Sequence, residues 1–312
     1  MKVLLIGLGS MGSNHFRVLK LLLKNSKDLL LYDSNKKRLS LFLKKHNVIQ
    51  ERNLDKLIKM ADRVIIASNT SSHYKIVIKC IKNGAKIIFV EKPFMKSFDE
   101  AKKVNKILKN NKIKIFVGLI ERFNSSIVSL RNYLKTKKIY HFEANRTARV
   151  PFRNKDINVV NDLMIHDLDL TLYLNGPASK VFATGKQNNG HISHCLATIK
   201  HKNGNISRLM ASKVTHKKIR DISISCKNKF IHADLLKREI KINKETKLFA
   251  ALDKPYRLSS NEENIEITPR EALQEQLIKF ISFCKNPKEK VPNILDAKNS
   301  LILADKIKKM FI

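Results

Sequence analysis

Three of the chain's nine glycines fall within six residues, Gly7-Leu8-Gly9-Ser10-Met11-Gly12. An apolar run, Lys2–Ile6, leads into them and an amphipathic stretch, Met11–Lys24, leads away. Glycine at this spacing permits a tight turn, a close approach of backbone to a ligand, and close packing of a helix on a strand. The helix that starts here would present unpaired N–H groups and the positive end of its dipole. The segment therefore predicts a strand–turn–helix unit that suits the pyrophosphate of a dinucleotide.

The rhythm continues. Short apolar runs at Leu29–Tyr32, Arg63–Ala67, Lys86–Val90 and Lys114–Val117 alternate with helical patterns at Lys36–His46, Ser71–Asn83 and Phe98–Asn110. This predicts a parallel sheet with crossover helices on both faces. After about Leu119 the pattern changes. Helix-like Ser125–Lys135 leads to a strand candidate, Tyr140–Arg149, then to a helix stopped by Asn175-Gly176-Pro177. From Lys180 to Ala251 come short strand-like runs, among them Ile192–Ile199, Ile206–Val214 and Ile222–Cys226, which predict a largely antiparallel sheet. Arg270–Cys284 and Ala297–Phe311 read as closing amphipathic helices. The expected division is a first domain at residues 1–119 and a second at 120–312.

Composition narrows the function classes. The net charge of +35 is carried mostly by lysines spread along the whole chain, with Ile and Asn also abundant. That pattern fits a coding bias better than a nucleic-acid-binding stripe, so no nucleic-acid partner is expected. No apolar run reaches the roughly 20 residues that cross a bilayer, and the first strand begins beside Met1, so a cytoplasmic protein without a membrane partner is expected. Cys80, Cys195, Cys226 and Cys284 are scattered, and no metal site is expected. His191-Ile192-Ser193-His194-Cys195 lies in a strand-like run whose alternation separates His191 from His194, and it reads as structural.

Asp33 ends the second strand about twenty residues beyond the glycines, where an acid can bind adenosine ribose hydroxyls and favour NAD. With Ser34 it could equally cap the next helix. Lys36, Lys37 and Arg38 could hold a 2′-phosphate, which leaves NADP open. Glu91-Lys92-Pro93 closes the strand Lys86–Val90, so Lys92 would face the crevice at the carboxyl ends of the strands. Asp162 and His166 are four residues apart, on one face if the run is helical. They could be an acid–base pair or satisfied polar groups on an apolar helix.

Ala67-Ser68-Asn69-Thr70-Ser71-Ser72-His73, Glu91-Lys92-Pro93 and Asp162-x-x-x-His166, in this order behind the glycine loop, resemble the glucose–fructose oxidoreductase/inositol dehydrogenase (Gfo/Idh/MocA) family. Asn69 stands where the family usually has proline. Val117-Gly118-Leu119-Ile120-Glu121-Arg122-Phe123-Asn124, Arg149-Val150-Pro151-Phe152-Arg153 and the run around Asp162 are similar to the UDP-N-acetylglucosamine 3-dehydrogenases of that family, with Leu119 for histidine and Ser125 for proline. The resemblance implies an N-terminal Rossmann domain that binds NAD(P). It also implies a C-terminal domain with a mixed, mostly antiparallel sheet for substrate and homo-oligomer contacts, as a dimer or tetramer.

By position, the resemblance places Gly7, Gly9, Ser10, Met11, Gly12, Asp33, Ser68, Asn69, His73 and Glu91 at the cofactor. Lys92, Asp162 and His166 become the catalytic set on a sugar hydroxyl. Lys92 would stabilise the alkoxide, His166 would act as general base, and Asp162 would orient substrate or imidazole. Arg122 and Asn124 would touch nicotinamide or substrate. Arg146, Arg149 and Arg153 are either diphosphate ligands or exposed arginines on one strand face, and Asp167 and Asp169 are expected at solvent or between domains. The expected reaction is NAD-dependent oxidation of the 3-hydroxyl of UDP-N-acetylglucosamine, within amino-sugar metabolism. Another sugar, an inositol or a UDP-hexuronate, or a non-catalytic NAD(P)-binding regulator, are the alternatives.

Overall fold

The computed structural model describes residues 1–109, 112–148, 158–188, 190–244, 247–249, 257–259, 261–283 and 291–311. The apolar runs of the first third form β1 (Val3–Ile6), β2 (Leu29–Tyr32), β3 (Arg63–Ile66), β4 (Ile87–Glu91) and β5 (Lys114–Gly118). Nearly every residue in them is buried, as sheet strands covered on both faces require. They pair in parallel in the order β2-β1-β3-β4-β5. Chain direction across the sheet reverses between β1 and β3, so the ligand crevice of such a sheet lies at the carboxyl ends there. Helices α1 (Ser10–Leu22), α2 (Lys36–Lys45), α3 (Leu54–Met60), α4 (Thr70–Lys82) and α5 (Phe98–Lys109) connect the strands.

The second sheet has eight strands. They are β6 (Ile139–Thr147), β7 (Ala178–Asn188), β8 (His191–His201), β9 (Ile206–Ser212), β10 (Ile219–Cys226), β11 (Lys229–Asp234), β12 (Glu239–Lys244) and β15 (Glu262–Ile265). Between the last two, β13 (Lys247–Phe249) and β14 (Arg257–Ser259) form a separate antiparallel pair. The order is β15-β12-β11-β10-β6-β9-β8-β7, antiparallel throughout except for the parallel β6–β9 pair. Alternation is visible along β8, where Ile192, Cys195, Ala197 and Ile199 are buried and Leu196, Thr198 and Lys200 are exposed. Helices α6 (Ser125–Leu134) and α7 (Ile165–Asn175) belong to the same half of the chain, and α8 (Ala272–Ser282) and α9 (Ile294–Lys309) close it. The fold is a Rossmann domain followed by a domain with a mixed, mostly antiparallel sheet.

The chain divides into two compact units, Met1–Ile120 with Ala272–Leu301, and Glu121–Glu271 with Ile302–Ile312. A single cut after residue 119 does not anticipate the return of Ala272–Leu301 to the first unit. Aromatic packing explains that return. Phe280 of α8 lies 5.4 Å from Phe89 and 5.7 Å from Phe116, edge to face, with Phe283 at 6.4 Å from Phe116. The Arg63 guanidinium donates to the Ile281 carbonyl at 2.8 Å, and the Val117 amide on the edge strand donates to the Pro292 carbonyl at 3.0 Å. The segment thus covers one sheet face and pairs part of its edge.

Candidate functional site

In the first unit the expected cofactor residues gather at the carboxyl ends of the parallel strands. Gly7 has φ +95°, and a Cβ there would lie 2.7 Å from the Ser68 amide nitrogen. A Cβ on Gly12 would lie 1.9 Å from the Gly7 carbonyl oxygen. These two glycines therefore let the turn after β1 rest on the β3–α4 loop and on the first turn of α1. Gly9 differs: a Cβ there would meet nothing within 4 Å. Gly9 also precedes the first turn of α1, which no side chain caps. Open space beside uncapped amides fits a dinucleotide pyrophosphate. Ser10 is exposed and Met11 half-buried on the same turn.

Asp33 is buried and joins this turn. Its Oδ2 accepts from the Leu8 amide at 2.7 Å and from the Arg38 guanidinium at 3.2 Å, and its Oδ1 accepts from the Asn35 amide at 2.7 Å. The cap of α2 is Asn35, whose Oδ1 accepts from the Arg38 amide. That settles the capping alternative against Asp33. Arg38, one candidate for a 2′-phosphate, pairs with this carboxylate instead.

Two expected cofactor ligands turn out to lie beneath the loops. His73 is fully buried, with Nε2 3.0 Å from the Ser68 carbonyl and Nδ1 3.1 Å and 3.2 Å from the Pro93 and Phe94 carbonyls. It ties the β3–α4 loop to the segment after Lys92. Glu91 is also buried, its Oε1 2.6 Å from His15 Nε2 and its Oε2 accepting from the Lys92 amide at 3.0 Å. Enclosure corrects both assignments: these side chains support the loops. Above them, Ser68 is half-buried and Asn69 is exposed, and the Ser68 hydroxyl bonds that of Ser72 at 2.8 Å. Lys92 is half-buried just past β4.

In the second unit, Asp162 lies in a π-helical turn, Val160–Met164, that runs directly into α7. An inserted π turn of this kind frequently marks functional positions. Asp162 Oδ2 pairs with Lys213 Nζ at 2.8 Å, and the side chain remains 31% exposed. His166 is half-buried on the first turn of α7. The π turn packs on β6 and β9.

Buried ion pairs hold α7 in its rotation about its own axis. Asp167 forms a bidentate pair with Arg146 of β6, at 2.8 Å and 3.1 Å to Nε and 2.9 Å to Nη2, and Arg146 Nη1 also reaches Glu121 at 3.1 Å. Burial alone would lower the Arg146 pKa, but the Asp167 and Glu121 carboxylates outweigh it and hold the guanidinium above its ordinary value. Asp169 takes the Arg122 guanidinium in two bonds of 2.9 Å and 2.6 Å, and Tyr173 lies under Arg122 at 4.3 Å. These contacts correct three expectations. Asp167 and Asp169 are buried rather than at solvent, and Arg146 is buried against Asp167, neither exposed on a strand face nor open to a diphosphate; Arg122 pairs with Asp169. Asn124 caps α6 by accepting from the Ser126 amide at 3.0 Å. Arg149 and Arg153 lie outside the described residues. Lys213 is the site residue that sequence reasoning missed; among 62 basic residues nothing singles it out.

Among the described residues, no group of three or more His, Cys, Asp and Glu is placed to hold a metal ion. No described helix is long and apolar enough to cross a membrane.

Residues 1–119 match the model of the oxidoreductase family with NAD-binding Rossmann fold, GFO_IDH_MocA. The match covers the first 119 residues of the chain, the part that corresponds to the family's NAD-binding domain. The first unit is accordingly an NAD-binding Rossmann domain. The chain is 35% identical over 123 residues to a UDP-N-acetylglucosamine 3-dehydrogenase of Acidithiobacillus ferrooxidans, covering 39% of each chain. It is 27% identical over 206 residues to a myo-inositol 2-dehydrogenase of Thermotoga maritima, covering 59% of this chain and 58% of that one. These alignments therefore span less than two thirds of either relative. A solved structure of the Acidithiobacillus UDP-N-acetylglucosamine 3-dehydrogenase superposes over 99% of this chain and 97% of its own, with a TM-score of 0.87 at 24% identity. That likeness establishes the fold across both units.

Proposed function

We propose that this chain is an NAD-dependent dehydrogenase of the Gfo/Idh/MocA type acting on a sugar ring hydroxyl, with UDP-N-acetylglucosamine and its 3-hydroxyl as the preferred substrate. The observation that carries the reading is the Asp162/His166 pair at a π-to-α junction fixed by buried ion pairs at Asp167 and Asp169. Residues fixed in this way cost little further ordering at the moment of reaction. NAD, when bound at the Gly9 turn, supplies the hydride acceptor. Lys92 donates a hydrogen bond to the reacting hydroxyl oxygen and stabilises its developing charge. His166 takes the hydroxyl proton, and Asp162 orients the imidazole or the substrate. Asp33 binds the adenosine ribose, which favours NAD over NADP.

The nucleotide-sugar assignment is supported by the 35% identity to the Acidithiobacillus relative and by the Val117–Asn124 run. A second reading, an inositol or free-sugar dehydrogenase, is favoured by the longer alignment to the Thermotoga relative. The proposal includes a homodimer or homotetramer. Exposed Phe182, Leu196, Ile206 and Phe230 share one face of the second sheet and support it.

The test is NADH formation from NAD with UDP-N-acetylglucosamine, UDP-N-acetylglucosaminuronate, glucose and myo-inositol. The proposal expects turnover with UDP-N-acetylglucosamine, lost in Lys92→Ala and His166→Ala. Turnover with myo-inositol alone selects the second reading, and no turnover with any of the four contradicts both.

A further inference from the structure

Lys213 sits one residue beyond β9, and its side chain is only 4% exposed. A buried ammonium is costly unless a charge compensates it nearby. Here Asp162 Oδ2 lies 2.8 Å from Nζ. The backbone around Lys213 is fixed as well. Its amide donates to the Ser193 carbonyl at 2.9 Å, and the Ser212 hydroxyl accepts from the Val214 and Thr215 amides at 3.3 Å and 3.2 Å. The ammonium is therefore a fixed positive charge supplied by the sheet to one oxygen of a carboxylate on the π turn. That carboxylate is still partly open to solvent.

We infer that Lys213 is a positioning residue that acts through Asp162. It anchors Oδ2, which directs Oδ1 toward the accessible side of the turn, where it can accept a hydrogen bond from the His166 imidazole or a substrate hydroxyl. This role rests on the dehydrogenase reading above. Asp162 lies in the π turn, and its carboxylate takes its partner from the sheet through Lys213.

The experiment is a double-mutant cycle with Lys213→Met, Asp162→Asn and the two combined, read as kcat and KM with NAD and the best substrate of the panel. Losing an anchor that holds a catalytic group in register lowers kcat on the order of a hundredfold. The KM for NAD and the affinity for NADH should stay at wild-type values. In the Asp162→Asn background, Lys213→Met should cost nothing further, because the group it positions is gone. Lys213→Gln, which keeps a donor, takes the place of Lys213→Met if the latter does not fold, with the same expectation of coupling. A kcat for Lys213→Met equal to wild type overturns the role. An equal loss in both backgrounds overturns it as well, since a residue acting independently of Asp162 would behave so. A wild-type protein inert toward all substrates overturns the dehydrogenase reading instead, and the positioning role falls with it.

Discussion

A methyl group added at Gly12 collides with the Gly7 carbonyl, whereas one added at Gly9 touches no protein atom within 4 Å. The two glycines thus answer different needs, and their substitutions should separate. Gly9 has φ −70° and ψ −163°, which alanine adopts without strain. Gly9→Ala should melt like the wild type yet bind NADH more than about tenfold more weakly in a fluorescence titration, a loss of about 1.4 kcal/mol. Gly12→Ala should lose at least about 1–3 kcal/mol of unfolding free energy from overpacking. Equal NADH affinity in Gly9→Ala would remove the pyrophosphate from this turn. His201 gives a pH prediction at the same scale. Burial lowers its pKa below 6.5, outweighing the carbonyls of Gly176 and Pro177 that raise it. The folded state then favours the neutral ring, so stability from this group is present above pH 6.5 and is lost as the unfolded chain takes up the proton first. The urea midpoint of His201→Gln should fall less than that of the wild type between pH 6.5 and about pH 5; parallel curves would contradict the assignment.

The strands and helices of the Rossmann unit were legible because short apolar runs and amphipathic helices repeat there with clear breaks. Helix α3 escaped because seven residues, Leu54–Met60, give too little periodicity, although Asn53 caps it by accepting from the Lys56 amide. The π turn at Val160–Met164 has no pattern of its own, since an i+4 pair such as Asp162 and His166 reads alike on either kind of helix. Asp167 and Asp169 misled for a different reason. Acidic residues are seldom fully buried, so exposure is the natural expectation, and only the position of Arg146 and Arg122 reverses it. If those pairs hold α7, removing one partner should be severe. Arg146→Met or Asp167→Asn should each lower the unfolding free energy by about 3–5 kcal/mol. Arg146→Met combined with Asp167→Leu should recover part of the loss, with Glu121 keeping Arg220 at 3.9 Å. Urea unfolding measures all three, and additive losses in the double variant would contradict the pairing.

At the scale of the whole molecule, each unit presents one part of the proposed site on its own sheet. The parallel sheet presents the glycine turn, Asp33 and Lys92 at its strand ends, and the mixed sheet backs the turn that bears Asp162 and His166. The order of strand-like and helical runs along the chain was enough to anticipate a parallel sheet followed by a mostly antiparallel one. The place of Ala272–Leu301 with the first unit was not, because an amphipathic helix does not name the face it covers. Phe280 and Phe283 make that choice through Phe89 and Phe116. Hydride transfer from a sugar ring carbon to nicotinamide can be traced with UDP-N-acetylglucosamine deuterated at C3, incubated with the protein and NAD, followed by mass spectrometry of the cofactor. Reduced cofactor carrying the deuterium on the nicotinamide ring is expected. Reduced cofactor without deuterium, or none at all, would contradict it.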